Sequence, residues 1–306
     1  MKKLLIIPVL LICVSFCWAQ KSAIQLNLKK GETYQQTTKA VSTVEQQIMG
    51  MDMEIKITVA GKISYTVKSV TEEGFDMDVS YNSLAFSMSM PQGTTAYDSE
   101  DETDEEPYVK ALRAMKDKPF QVRLSKYGEV LEVKNLDALF DDIIEQFGDL
   151  PEANQAQMRE QLMNSYGEKS FKGNIEMITS IYPREKVAKG DQWNSSTTLE
   201  TGFSIDMKTT YRLEEVASDY FAIKGESKIE TARKDELVEV NGMKTKYDLS
   251  GTMDADIKID RKTGWIMDAK FIQQISGEAN IQDNPQMPGG ITIPMKINNE
   301  STYSDQ

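Results

Sequence analysis

The densest group of side chains able to do chemistry is the acidic run YDSEDETDEEP, which spans residues 97–107 and holds seven carboxylates. Clustered oxygen ligands of this kind suit Ca²⁺. However, the run lacks the glycine and the distant glutamate that an EF-hand loop needs at fixed positions. Like charges at this density repel one another and favour a solvated, mobile loop. We therefore predict no metal site here or elsewhere in the chain.

The residues most used for proton transfer, nucleophilic attack and zinc ligation are nearly missing. The sequence has no histidine, and its two cysteines, Cys13 and Cys17, lie in a segment that we expect to be removed. This composition excludes a Cys–His pair, a Ser–His–Asp triad and a zinc site of ordinary ligand type. Neither SxxK nor GxSxG occurs. We expect a protein that is not an enzyme and needs no cofactor, with a carboxylate-based hydrolase as the third alternative.

The first residues have the pattern of a signal peptide. Lys2 and Lys3 precede the apolar residues 4–16, and Ala19 suits the position before a cleavage site, so residues 1–19 are predicted to be the signal. We expect an exported protein, periplasmic first and secreted or cell-surface as alternatives. The apolar run is shorter than the roughly 20 residues of a spanning helix, which predicts no membrane-spanning segment. A net charge of −13 argues against a nucleic-acid partner.

One short phrase occurs twice, as KKGETY at residues 29–34 and as AKGDQW at residues 188–193. Alternating strands that read as hairpins follow each phrase, at residues 64–86 and 210–230, and again at 121–136 and 256–271. The second pair carries Gly128 and Gly264 in its turns. The pattern predicts two copies of one antiparallel β unit, over residues 20–134, with the acidic loop 97–107, and over residues 188–306.

Helical spacing separates the two units, in residues 135–187. Residues 135–147 carry apolar side chains at helical spacing, with Asn135 available as the N-cap. Further helices are predicted from Pro151 to Gly167 and from Phe171 to Pro183. A last strand at 289–297 contains Pro294, which favours an edge position. The predicted fold class is α+β: β-dominated, with two related antiparallel units forming a curved sheet or half-barrel around a central helical segment.

Methionine is abundant, with 17 residues in the chain, and many fall on apparently inward positions of the strands. Flexible, polarisable methionines suit a pocket for varied apolar ligands, and they equally suit an ordinary β core with irregular gaps. On the first interpretation, the ligand-lining residues are Met53, Met77, Met88, Leu139, Phe140, Ile143, Met253 and Met267.

The KG(E/D)xY/W openings and the stretch VRLSKYGEVLEV at residues 122–133 resemble an uncharacterised family of exported bacterial proteins. The architecture is also similar in outline to periplasmic lipoprotein carriers, in which helices close a half-barrel over an apolar cavity. The second resemblance implies a fold and maps no carrier residue onto this chain.

The leading functional hypothesis is a non-catalytic binding protein for an apolar ligand such as a lipid or an acyl chain. The alternative is an envelope scaffold or interaction module, with a filled core and another envelope protein as partner. An apolar cavity above about 300 Å³ would favour the first, and a packed interior the second.

Overall fold

The computed structural model describes residues 21–48, 50–200, 204–240, 242–285 and 287–306. Within these ranges the chain forms thirteen strands and four helices, so the predicted β-dominated α+β class is confirmed. The strands are β1 Thr33–Ile48, β2 Met51–Val70, β3 Gly74–Met90, β4 Gly93–Asp98, β5 Phe120–Ser125, β6 Val130–Lys134, β7 Gln192–Glu200, β8 Ser204–Val216, β9 Tyr220–Thr231, β10 Val238–Val240, β11 Met243–Asp260, β12 Ile266–Ile281 and β13 Ile291–Ser304. The helices are α1 Pro107–Met115, α2 Leu136–Glu145, α3 Glu152–Tyr166 and α4 Glu168–Thr179.

All thirteen strands belong to one curved antiparallel sheet, ordered β6-β5-β3-β2-β1-β13-β12-β11-β9-β8-β7, with β4 beside β3 and β10 beside β11. Strands β1 to β6 occupy one side of this order and run in chain order from the centre to the edge, whereas strands β7 to β12 occupy the other side and run in chain order from the edge to the centre. Strand β13 lies between the halves and pairs with both β1 and β12. The two predicted units therefore share one continuous sheet, while their boundaries stay a prediction.

The two KG(E/D) phrases occupy equivalent turns. The amide of Gly31 donates to the carbonyl of Val67 at 2.8 Å, and the amide of Gly190 donates to the carbonyl of Leu213 at 2.7 Å. Both glycines have positive φ, at 84° and 91°. A β-bulge then follows the acceptor in each half, between Val67 and Ser69 in one and directly after Leu213 in the other. The repeated phrase thus marks the same local geometry in both halves.

The helices connect the two outer edges of the sheet. Helix α4 contacts both β6 and β7, the edge strands, and the hydroxyl of Tyr182 just after it donates to the carbonyl of Gly264 at 2.7 Å. Residues 22–28 join the β5–β6 turn to the β11–β12 turn, because Leu26 bonds to Lys126 and Asn27 to Thr263 through the backbone. One end of the sheet is closed by these segments. None of the helices in the described ranges is long and apolar enough to cross a bilayer.

One local prediction was correct only in position, and another was wrong. Asn135 does precede α2, but it adopts a left-handed conformation with φ of 65° and its side chain makes no capping hydrogen bond. Strand β13 is central, whereas Pro294 had indicated an edge. Pairing of β13 with β1 ends at Met295, so Pro294 has a partner only on the β12 side, and its missing N–H is tolerated at this local edge.

Candidate functional site: the inner face of the sheet

The two faces of the sheet differ in charge. Directly opposed residues of antiparallel strands share a face, so the strand registers assign every regular position to the inner face, which carries the core, or to the outer face. The outer face alternates Lys, Asp and Glu with small polar residues. At the inner positions of the described strands there is no Asp, Glu, Lys or Arg.

One part of the inner face, here called the covered end, lies beneath the helices. It consists of Phe75, Met77, Val79 and Tyr81 on β3 and of Phe120, Val122 and Leu124 on β5, all buried. Helices α2 to α4 complete this core: the rings of Phe120 and Phe171 lie 5.1 Å apart, and the rings of Tyr81 and Tyr166 lie 5.8 Å apart.

The covered end is filled. The apolar gap lined by Leu26, Tyr65 and Ile178 has a volume of only about 20 Å³, which is room for about one water. This gap is too small for an organic ligand.

A second part of the inner face lies beyond the helices and stays accessible. We call it the open patch; its members are Val44, Ile55, Ile57, Val59, Phe86 and Met88. They are neighbours across strands, since Val44 opposes Ile55, Ile57 opposes Met88 and Val59 opposes Phe86. All are partly exposed, and Val59 is 43% exposed. Binding surfaces commonly contain adjoining apolar side chains that remain accessible to solvent. The open patch has this feature, on a face without charged residues.

A row of hydrogen-bonding side chains crosses the inner face next to the open patch. We call it the polar row; in strand order it contains Thr209, Ser227, Met253, Gln273, Asn299 and Ser42. Ser42 donates to Asn299 Oδ1 at 2.9 Å, and Asn299 Nδ2 donates to Gln273 Oε1 at 2.9 Å. At the other end, the hydroxyls of Thr209 and Ser227 lie 2.7 Å apart. Ser42 directly opposes Ile57, so the row adjoins the open patch.

The predicted ligand-lining residues fall in different environments. Met53 and Met88 lie on the inner face beyond the helices and are partly exposed. Met77 and Met253 are buried on the same face, at 1% exposure each. Met267 lies at the bulge of β12 and is partly exposed.

The predicted positions on α2 belong to the covered end. Phe140 and Ile143 are buried there, and Leu139 packs beside them, partly buried. The structure thus brings Met53 and Met88 onto one accessible surface and leaves the others in or beside the packed core. The ligand-lining assignment itself stays a prediction.

A polar groove runs along the seam between the edge strands, with a volume of about 900 Å³. Strand β7 forms one wall, and Tyr127, Glu129, Glu176 and Arg184 contribute to the others. Partial burial raises the pKa of the Glu176 carboxyl above its ordinary value, Glu129 adds in the same direction, and Lys172 opposes both. Arg184 forms an ion pair with Glu129 and lies 4.3 Å from the centre of the Tyr127 ring.

The acidic run forms an ordered loop before α1. Asp98, Asp101 and Asp104 each accept a hydrogen bond from the amide two residues ahead, and Glu106 caps α1 through the amide of Val109 at 3.0 Å. These four carboxylates are thereby engaged with the backbone, while Glu100 and Glu105 form ion pairs with Lys116 and Lys110. Across the residues that the structure describes, no group of three or more Asp or Glu is arranged to hold a metal ion.

The fold and its inner face define a β-rich protein in which one curved antiparallel sheet is closed at one end by helices. The model of a family of unknown function, DUF6263, matches residues 72–266, and the chain belongs to that family. The predicted resemblance to an uncharacterised family is therefore confirmed. A search of curated proteins found no match.

Among solved structures, one that describes lipid–protein interactions in lipovitellin aligns with a TM-score of 0.52 at 11% identity. The alignment covers 92% of this chain and 25% of the lipovitellin chain, so the chain spans about a quarter of that protein. An outer membrane channel from Pseudomonas putida F1 aligns with a TM-score of 0.24 at 7% identity, covering 91% of this chain and 97% of the channel. At these identities the likeness to lipovitellin concerns the fold alone, and the likeness to the channel is too weak to use.

Proposed function

We propose that the protein is a non-catalytic, exported binding protein that holds the apolar body of a lipid or acyl chain on the open patch. The observation that carries this proposal is that the inner face stays free of charge where the helices no longer cover it. A face in permanent contact with water normally carries charged side chains, as the outer face of the same strands does.

Three further features support the proposal. The open patch is formed by adjoining side chains on β1, β2 and β3, which provides a continuous surface along an extended chain. Its member Met88 has a flexible, polarisable side chain that can adapt to ligands of varied shape. Lipovitellin, with which the fold is shared, is described through its lipid–protein interactions. Because the gap beneath the helices is small, we propose the ligand site on the accessible part of the sheet.

The direct test is a charge placed on the open patch. Val59→Lys would bring an ammonium group into contact with the ligand's apolar body, and Thr58→Lys, one residue away on the outer face, is the matched control. We expect Val59→Lys to weaken the binding of a neutral fluorescent apolar dye by about tenfold or more, because a charge must be desolvated in the complex. Thr58→Lys should leave the affinity unchanged. Equal affinities of both variants and the wild type would refute the proposal.

A second candidate function is a protein-interaction module that accepts a strand from a partner. The specific observation is strand β7, which pairs with β8 on one side and borders the seam groove on the other. The described part of β7 contains no proline and no lysine, the residues that commonly protect an edge. Its backbone is thus available to pair with an extended segment.

A photo-activated cross-linker separates the two candidates. Placed at Ser196 on β7 of the exported protein, it should capture a polypeptide if strand addition is the function. Placed at Val59, it should capture a small apolar molecule if ligand binding is the function. A protein adduct at Ser196, with neither a protein adduct nor a small-molecule adduct at Val59, would favour the interaction module.

A further inference from the structure

The polar row contains one hydrogen-bond donor that meets only a weak acceptor. Gln273 Nε2 lies 3.4 Å from the sulfur of Met253, and a thioether accepts hydrogen bonds poorly. The amide oxygen of Gln273 is already engaged by Asn299 Nδ2 at 2.9 Å, which fixes the orientation of the side chain. Gln273 therefore presents an oriented N–H group. A stronger acceptor from a ligand would replace the Met253 sulfur as its partner.

Gln273 lies at the border between packed and accessible parts of the inner face. Towards the core, the next inner residues on β12 and β13 are Phe271 and Ser301, which are buried at 1% and 2% exposure. Away from the core, Ile275 and Ile297 are partly exposed. Gln273 itself is partly exposed.

The inner face also restricts the charge of a bound polar group. The regular inner positions within the described ranges contain neither Lys nor Arg, so a carboxylate or phosphate bound there would have no cationic partner. An unpaired charge on a partly buried surface is strongly unfavourable, whereas a neutral carbonyl or hydroxyl needs only a hydrogen bond. The polar row provides hydrogen bonds from hydroxyl and amide groups alone.

We propose that Gln273, held by Asn299 and Ser42, binds the neutral polar group of an amphiphilic ligand whose apolar body lies on the open patch. This inference rests on the proposed function and specifies its ligand class. The ligand is a neutral lipid with a hydrogen-bond-accepting ester, amide or hydroxyl group, such as an acylglycerol, and not a fatty-acid anion. Ser42 is paired directly with Ile57, which places the polar group beside the apolar body.

The test uses the full mature protein and three ligands of similar chain length: monooleoylglycerol, oleate and octadecene. Each displaces a neutral fluorescent apolar dye, and the displacement gives its affinity. Gln273→Met removes the amide at nearly constant volume. Gln274→Met is the matched control, because the neighbouring side chain is exposed on the outer face. Thermal unfolding of each variant checks that the fold is retained.

We expect the wild type to bind monooleoylglycerol more tightly than octadecene or oleate. Gln273→Met should weaken monooleoylglycerol binding roughly fivefold to tenfold, the effect of losing one hydrogen bond to a neutral group, and leave octadecene unchanged. Gln274→Met should change neither. A wild type that prefers oleate, or a Gln273→Met variant that binds monooleoylglycerol as the wild type does, would overturn the inference while the proposed function stands. Failure of the wild type to bind any of the three ligands would instead refute the proposed function.

Discussion

The covered end and the open patch are built from the same kind of strand and differ only in what lies over them. Met77 and Met88 both belong to β3 and both point to the inner face, yet Met77 is 1% exposed and Met88 is partly exposed. The alternation of apolar and polar residues assigns each to a face. Whether helices cover that face depends on how α2 to α4 connect the sheet edges. The comparison shows that an inward position can serve either the core or a surface for a ligand.

The two methionines provide the largest expected contrast. Met77→Ala removes a fully buried side chain, and we expect it to lower the free energy of unfolding by about 2–5 kcal/mol. Met88→Ala removes partly exposed area, and the expected loss is about 1 kcal/mol or less. Denaturant unfolding measures both. Only Met88→Ala should also weaken apolar-dye binding, and similar losses of stability in both variants would show that the open patch is part of the core.

Two turn glycines extend the contrast to the backbone. Gly264 and Gly50 have φ of 70° and 79°, and a Cβ on Gly264 would lie 2.0 Å from the carbonyl oxygen of Gln25, whereas a Cβ on Gly50 would meet nothing within 4 Å. Gly264→Ala should lower the free energy of unfolding by about 2–4 kcal/mol, through strain and displacement of residues 22–28. Gly50→Ala should lower it by about 1 kcal/mol.

The measurement for this pair is again denaturant unfolding, with dye binding as the second readout. Equal destabilisation by the two substitutions would mean that residues 22–28 do not hold the covered end closed.

The smallest predicted effect concerns Glu176, on the helix that connects the two edges of the sheet. Burial raises the pKa of its carboxyl in the folded state above the ordinary value of 4.5. The carboxyl therefore ionises less readily in the folded than in the unfolded protein, and its ionisation at higher pH lowers stability. As the pH rises from 4 towards 7, the free energy of unfolding of the wild type should therefore fall relative to that of Glu176→Gln. Unfolding measured across this pH range checks the sign. A variant that becomes relatively less stable as pH rises would show that the carboxylate is stabilised in the fold.

Much of the fold could be predicted because its signals are local. The hairpins around Gly128 and Gly264 and the helix from Leu136 each follow from alternation, helical spacing and turn residues that are close in sequence. The nine-residue helix α1 was missed, because it directly follows the acidic run and is short. The position of β13 was also missed, since it depends on pairing with β1, more than 200 residues away in sequence.

The candidate site was predicted only in part, for the same reason. Inward methionines such as Met53 and Met88 can be recognised from alternation within a single strand. The polar row depends on the registers that bring Ser42, Asn299 and Gln273 side by side from three strands. A usable signal was present, because Gln273 and Asn299 are amides at inward positions of otherwise apolar patterns. Their alignment with one another could be known only from the sheet.

The most direct test of the binding claim uses photo-methionine, incorporated throughout the protein in its native cells and activated by light. Peptide mass spectrometry then locates the adducts. The proposed function predicts that the peptide with Met88 carries the mass of a small organic-extractable molecule, while the peptide with Met77 carries none. Adducts of equal yield on Met77 and Met88, or protein adducts alone at Met88, would contradict the assignment of the open patch as a lipid-binding surface.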